Sequence, residues 1–242
     1  GVGVSALTFR QARDLVLGAR GATRLGYVCF GTAHGLTLAR TDPALRKIYN
    51  SSWLTTPDGM PLVWLGPRGV ERVYGPDLML AVCDAGRATG LTHYFFGGAP
   101  GVAEALREKL TARFPGLKVT GTFTPPYRPL LPAESAALQA GVTRAKPDII
   151  WVGLGTPKQE HFMAEHAPTL DAGLLVGVGA AFDFHSGRVR QAPRWIQGSG
   201  FEWLFRLCME PRRLGPRYLR TNPLFLLRVL AQLGGLKKYP LD

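Results

Sequence analysis

The chain has 242 residues, a formal net charge of +12 and 3 cysteines, which is enough length for one large α/β domain plus a short appendage. The charge asks for an anionic partner, whether nucleic acid, an acidic membrane surface or a phosphorylated substrate. Cys29, Cys83 and Cys208 are widely spaced in apolar surroundings, so they suggest neither a disulfide framework nor a zinc site and fit a reducing cytoplasm. No stretch reaches the roughly 18 apolar residues of a spanning helix, and no basic segment leads into an apolar one at the amino terminus; a soluble or peripheral protein is expected.

Taken in order, apolar residues at helical spacing predict a helix over Ser5 to Ala19, and glycine punctuation then leads into a strand at Tyr27 to Phe30. The loop Gly31-Thr32-Ala33-His34-Gly35 follows that strand, where α/β proteins place ligands, so Thr32 and His34 are candidate binding residues. A turn hydroxyl and a locally satisfied imidazole are the plainer reading of the same pair. A helix from Asp42-Pro43 through Ile48 and a short strand at Ser51 to Thr55 come next.

Thr56-Pro57-Asp58-Gly59-Met60-Pro61 is the most informative stretch. Pro57 fixes its own backbone and biases Thr56 toward extended geometry, and Gly59 permits angles closed to a residue with a Cβ, so Asp58 sits on a bend that can present a carboxylate to a cleft. An Asp-Gly turn or helix cap would look the same in isolation. After a helix at Pro61 to Trp64, Arg72 precedes the Gly75-Pro76 break, from which a guanidinium can reach a carboxylate or phosphate, and Asp77 is placed to cap a helix to Ala88.

His93 to Phe96 reads as a buried strand running into Gly97-Gly98 and a helix over Val102 to Phe114. The glycines lack G-x-G-x-x-G spacing, so Gly97 and Gly98 either approach a phosphate or form a tight turn. A strand at Leu117 to Thr122, a helix at Pro132 to Ala145 and a strand at Pro147 to Gly153 follow, with Pro157 at the start of the next helix and Gln159 in a polar loop. A last strand at Gly173 to Gly177 runs on toward Asp183. Repeated strand and helix spacing predicts an α/β fold over residues 1–190, a mainly parallel sheet of about six strands with helices on both faces.

From residue 191 to 242 the composition turns basic and aromatic, and Pro211, Pro216 and Pro223 are expected to cut it into short helices. Eleven Lys and Arg against Glu202, Glu210 and Asp242 lie from Arg188 onward, so +8 of the +12 resides there.

Together, TPDGMPLVW, ERVYGPDLM, FFGGAPGVAEAL, PDIIWVGLGTPKQE, GVGAAFDFHSGRVRQAPRWIQ and SGFEWLFRLCMEPRRLGPRYL resemble the WecG/TagA/CpsF glycosyltransferase family over nearly the whole chain. The resemblance implies a Rossmann-like fold and an inverting transferase that moves a sugar from a UDP-sugar to a polyprenyl-diphosphate-linked saccharide at the cytoplasmic membrane face. It gives Asp58 the role of base, and it puts Arg72, Gln159 and Asp183 in the pocket. Thr32 stands where the family often has Thr-x-Asn. No Asp-x-Asp clamp occurs, so no metal and no cofactor are expected. Arg206, Arg212, Arg213, Arg217 and Arg220 are the candidates to balance the leaving diphosphate.

Two other classes compete. A nucleotide-dependent oxidoreductase would need the glycine fingerprint with its distant acid, which is missing. A basic nucleic-acid module would need a recognisable motif, and the positive charge lies instead among aromatics and leucines that suit an anionic membrane surface. No nucleic-acid partner is expected.

Overall fold

The computed structural model describes residues 1–241, apart from the Arg213 side chain. Six strands, β1 (Gly26–Gly31), β2 (Leu54–Pro57), β3 (Thr92–Gly97), β4 (Lys118–Phe123), β5 (Ile149–Gly153) and β6 (Leu174–Gly177), form one sheet in the order β2-β1-β6-β5-β3-β4. Every pairing is parallel. A parallel sheet needs cover on both faces, and the period-two alternation along the strands supplies two apolar surfaces.

Val28 and Phe30 of β1, Phe95 of β3, Trp151 of β5 and Val176 of β6 join one core. That face is covered by α1 (Phe9–Leu17), α5 (Gly75–Ala85), α6 (Val102–Arg113) and α9 (Ala181–His185). Tyr27, Cys29, Tyr94, Phe96, Ile150, Val152 and Leu175 point to the other core. There α2 (Ala33–Thr41), α3 (Pro43–Asn50), α7 (Pro132–Ala145) and α8 (Lys158–His166) pack. Parallel strands put all their carboxyl ends on one edge, where open α/β sheets bind ligands. Residues 31, 57, 97, 123, 153 and 177 mark that edge.

Gly97 shows why the edge must be built from small residues. Its φ is +125°, and a Cβ there would stand 2.7 Å from the Gly153 carbonyl carbon on the neighbouring strand.

Beyond β6 the chain forms α10 (Arg194–Gly198), α11 (Glu202–Met209) and α12 (Pro211–Leu233). The expected series of short proline-cut helices is overturned here, because α12 is one 23-residue helix with Pro216 and Pro223 inside it. Each proline removes one N–H, so the carbonyls of Arg212 and Leu219 lose their usual helical donors. The helix is held from outside instead: α12 packs along α2, and Arg228 Nη1 donates to the Thr37 carbonyl at 3.2 Å. Leu214 and Thr221 are buried on its inner side.

Other expectations need correction. Residues 5–7 lie outside any helix; Ser5 N–H donates to the Thr55 carbonyl, and α1 starts only after Thr8, whose hydroxyl and Gln11 form a capping box. Residues 51–53 are turn, which moves β2 toward Pro57 and sets Asp58 immediately at its end. The cap of α5 is Tyr74; Asp77 lies in the first turn and pairs with Arg194 at 2.6 Å. Cys208 is exposed, unlike buried Cys29 and Cys83, because α11 turns that side of the helix outward.

Candidate active site

Asp58 is pinned where two strands end. Its N–H donates to the Gly31 carbonyl of β1 at 3.0 Å, while the Pro57 carbonyl accepts from Val73 at 2.8 Å. Gly59 sits at φ −86° and ψ 137°, ordinary extended backbone, so the special glycine angle expected there is not used. The bend comes from the start of α4 (Met60–Leu65), with Pro61 in its first turn.

Arg72 binds this bend at several points. Its Nε donates to the Asp58 carbonyl, its Nη1 to the Gln197 carbonyl at 2.9 Å, and its Nη2 to Glu202 Oε2 at 2.6 Å. Nη2 also lies 3.5 Å from Asp58 Oδ1. Tyr74 presents its ring to the guanidinium at 4.2 Å and donates its hydroxyl to Glu202 Oε1 at 2.7 Å. The core thus contributes Asp58, Arg72 and Tyr74, and the C-terminal segment contributes Gln197 and Glu202.

Burial pushes the Asp58 carboxyl up to about 6; Arg72 and Arg206 oppose the rise and Glu202 adds to it. Its Oδ1 is buried and makes no hydrogen bond. A carboxylate in that state is an available proton acceptor near neutral pH.

Arg206 of α11 faces this group, with its guanidinium 5.5 Å from the centre of the Phe184 ring. Arg217 of α12 faces His34, whose imidazole is brought down to about 4 by burial and then by that charge, so it is neutral at physiological pH. Thr32 is the cap of α2 and accepts from Gly35 N–H at 3.1 Å, the local role that its sequence also allowed.

Gln159 and Glu160 of α8 make a second buried polar group. Gln159 Nε2 donates to the Gly177 carbonyl at 2.9 Å and to Glu160 Oε1 at 3.1 Å, which leaves Gln159 Oε1 as a buried acceptor without a hydrogen bond. Asp183 is half-buried and lies 3.6 Å from Arg188. Gly97 and Gly98 form the tight turn: the Gly98 N–H is occupied by the Gly153 carbonyl at 3.0 Å. Arg212 and Arg220 are exposed, and the Arg213 side chain lies outside the described residues.

The sequence reading missed Tyr74, Gln197 and Glu202. A signal existed for Glu202, an acid in the aromatic run Phe201-Glu202-Trp203-Leu204-Phe205. An acid set in such a run is one that needs a buried partner.

A cleft of about 290 Å³ opens between α2, α4 and α12, lined by Leu36, Leu62, Leu65, Phe225 and Val229 with Arg40 and Arg228. It reaches Pro57, next to Asp58, but does not include the carboxylate. Among the described residues no group of three or more His, Cys, Asp or Glu is placed to hold a metal ion, and no helix is long and apolar enough to cross a membrane.

A parallel sheet presenting a raised-pKa carboxylate among guanidinium groups at its carboxyl edge has the layout of a group-transfer enzyme acting on an anionic substrate. A model of the glycosyl transferase WecG/TagA/CpsF family matches residues 1–239, and the chain belongs to that family of glycosyltransferases. It is 25% identical over 189 residues, 76% of this chain and 71% of the relative, to an N-acetylglucosaminyldiphosphoundecaprenol N-acetyl-beta-D-mannosaminyltransferase of Bacillus subtilis. A protein of the same name from Bacillus spizizenii is 26% identical over 196 residues, 79% of this chain and 74% of the relative.

Proposed function

We propose that this glycosyltransferase moves a sugar from a UDP-sugar to a polyprenyl-diphosphate-linked saccharide, with inversion and with Asp58 as the base. Asp58 takes the proton from the acceptor hydroxyl, and that oxygen attacks the anomeric carbon from the face opposite the nucleotide. The bond to UDP breaks, and its electron pair leaves with the diphosphate. Arg206 and Arg217, on the segment that closes over the strand ends, compensate the growing negative charge without a metal clamp. The names of the two Bacillus relatives favour an N-acetylmannosamine donor and an N-acetylglucosaminyl-diphosphate-undecaprenol acceptor as the first pair to assay.

The observation that carries this reading is the state of Asp58 at the strand ends, a carboxyl pushed up to about 6 by burial, whose Oδ1 is approached by Arg72 Nη2 only at 3.5 Å. Asp58→Asn keeps the shape and removes the useful proton acceptor. It is expected to leave UDP binding by calorimetry intact and to lower turnover by roughly 10²-fold or more. Near-normal turnover of the variant removes Asp58 from the chemistry.

The segment from residue 191 onward serves, in the same proposal, as a peripheral membrane contact. Its exposed side carries Trp195, Phe201, Leu219, Leu226, Leu227 and Leu233. Arg212 and Arg220 are exposed with them and suit anionic headgroups.

A further inference from the structure

Arg72 stands between two carboxylates and divides its donors unevenly. Nη2 lies 2.6 Å from Glu202 Oε2 but 3.5 Å from Asp58 Oδ1. Nε goes to the backbone carbonyl of Asp58, not to its side chain. Tyr74 occupies the other oxygen of Glu202 at 2.7 Å. The Glu202 side chain is 11% exposed with both oxygens bonded, while Asp58 Oδ1 is left without a hydrogen bond. A base needs no second acid beside it, and placing two buried carboxylates on one guanidinium is costly.

We propose that Glu202 is a positioning residue that draws the Arg72 guanidinium toward itself, so that the Arg72–Asp58 ion pair stays loose, at 3.5 Å, and Asp58 remains a proton acceptor instead of being held in a tight pair. This rests on the reading of Asp58 as the base. The charged and titratable groups facing Asp58 are Arg72 from the segment before α5 and Glu202 and Arg206 from α11, with Tyr74 behind Glu202. Arg72 and Arg206 favour the charged carboxylate, and Glu202 opposes it. Once Glu202 is neutral, Nη2 is free to close on Asp58. An aspartate paired tightly with arginine is held about 1–3 pH units lower and is a correspondingly weaker base.

The competing role is purely mechanical, with Glu202 anchoring α11 to the core. The two roles separate in pH profiles of kcat/KM and kcat, measured on the full chain with a UDP-sugar and a lipid-diphosphate acceptor, alongside melting temperatures. Glu202→Gln is expected to move the acid limb down by about one pH unit and to lower the plateau kcat by about tenfold, with the donor KM within about twofold. Glu202→Asp keeps the charge on a shorter arm and is expected to fall between the variant and the parent. Should Glu202→Gln not fold, Glu202→Asp decides alone: a limb that moves down supports the positioning role, and an unmoved limb overturns it. A kcat that falls with the melting temperature while the limb stays in place also overturns it. Asp58→Asn, run in parallel, keeps the two readings apart. If that variant is active, the base assignment fails and this inference with it; if it is inactive and the Glu202 limbs superpose on the parent, Glu202 alone is excluded.

Discussion

Asp58 keeps its carboxyl at about 6, against an ordinary value of 3.8, chiefly because burial disfavours the charge. The folded protein therefore holds this proton more tightly than the unfolded chain does. The resulting stabilisation is fully present below about 3.8 and is lost as the pH rises through about 6. Above that range Asp58 is a charge the fold carries at a cost, on the order of 2–3 kcal/mol by linkage. Asp58→Asn should accordingly melt higher than the parent at neutral pH, with the gap closing toward pH 4, while its turnover falls. An equal or lower melting temperature at neutral pH would show that the Arg72 contacts outweigh the burial. Asp58 was legible in the sequence because the prolines around it are local. For Glu202 the aromatic run marks only an acid in need of a partner; its link to Arg72 spans 130 positions, and nothing near it in the chain announces which partner that is.

At the scale of elements, α11 and α12 carry cations to different parts of the strand edge. Arg206 looks toward Asp58 and Arg217 toward His34, whereas Arg212 and Arg220 face outward. Residue type alone could not sort these arginines, because the sorting depends on the phase of α12 as it packs along α2. It also depends on that helix continuing through Pro216 and Pro223. If guanidinium groups compensate the leaving diphosphate, turnover should survive exhaustive treatment with EDTA. Loss of activity restored only by a divalent ion would transfer that role to a metal.

For the whole molecule, the question is whether residues 191–242 are an appendage or an integral part of the site. Residues 1–190 contain both cores and all six strands, yet Gln197 and Glu202 complete the contacts of Arg72. We expect truncation after Gln191 to leave a cooperatively folding domain that neither sediments with anionic vesicles nor transfers sugar. Removing Glu202 and Arg206 together would return Arg72 to Asp58, and removing α12 would take away the exposed leucines and basic residues. A truncated protein that binds vesicles and turns over like the full chain would make the segment dispensable.

The sequence by itself determined the order of strands and helices, the parallel α/β class and the place of Asp58. These follow from short-range causes: short continuous apolar runs in the strands, helical spacing between them, and prolines beside one acid. The basic, apolar character of the C-terminal segment was also plain from composition. Only the tertiary structure decided that α12 is continuous, that Gly98 spends its N–H on Gly153, and that Thr32 caps α2. It alone brought Glu202 and Tyr74 onto the guanidinium beside Asp58. Those outcomes turn on packing between segments far apart in the chain, where burial and a distant partner outweigh what any residue prefers locally.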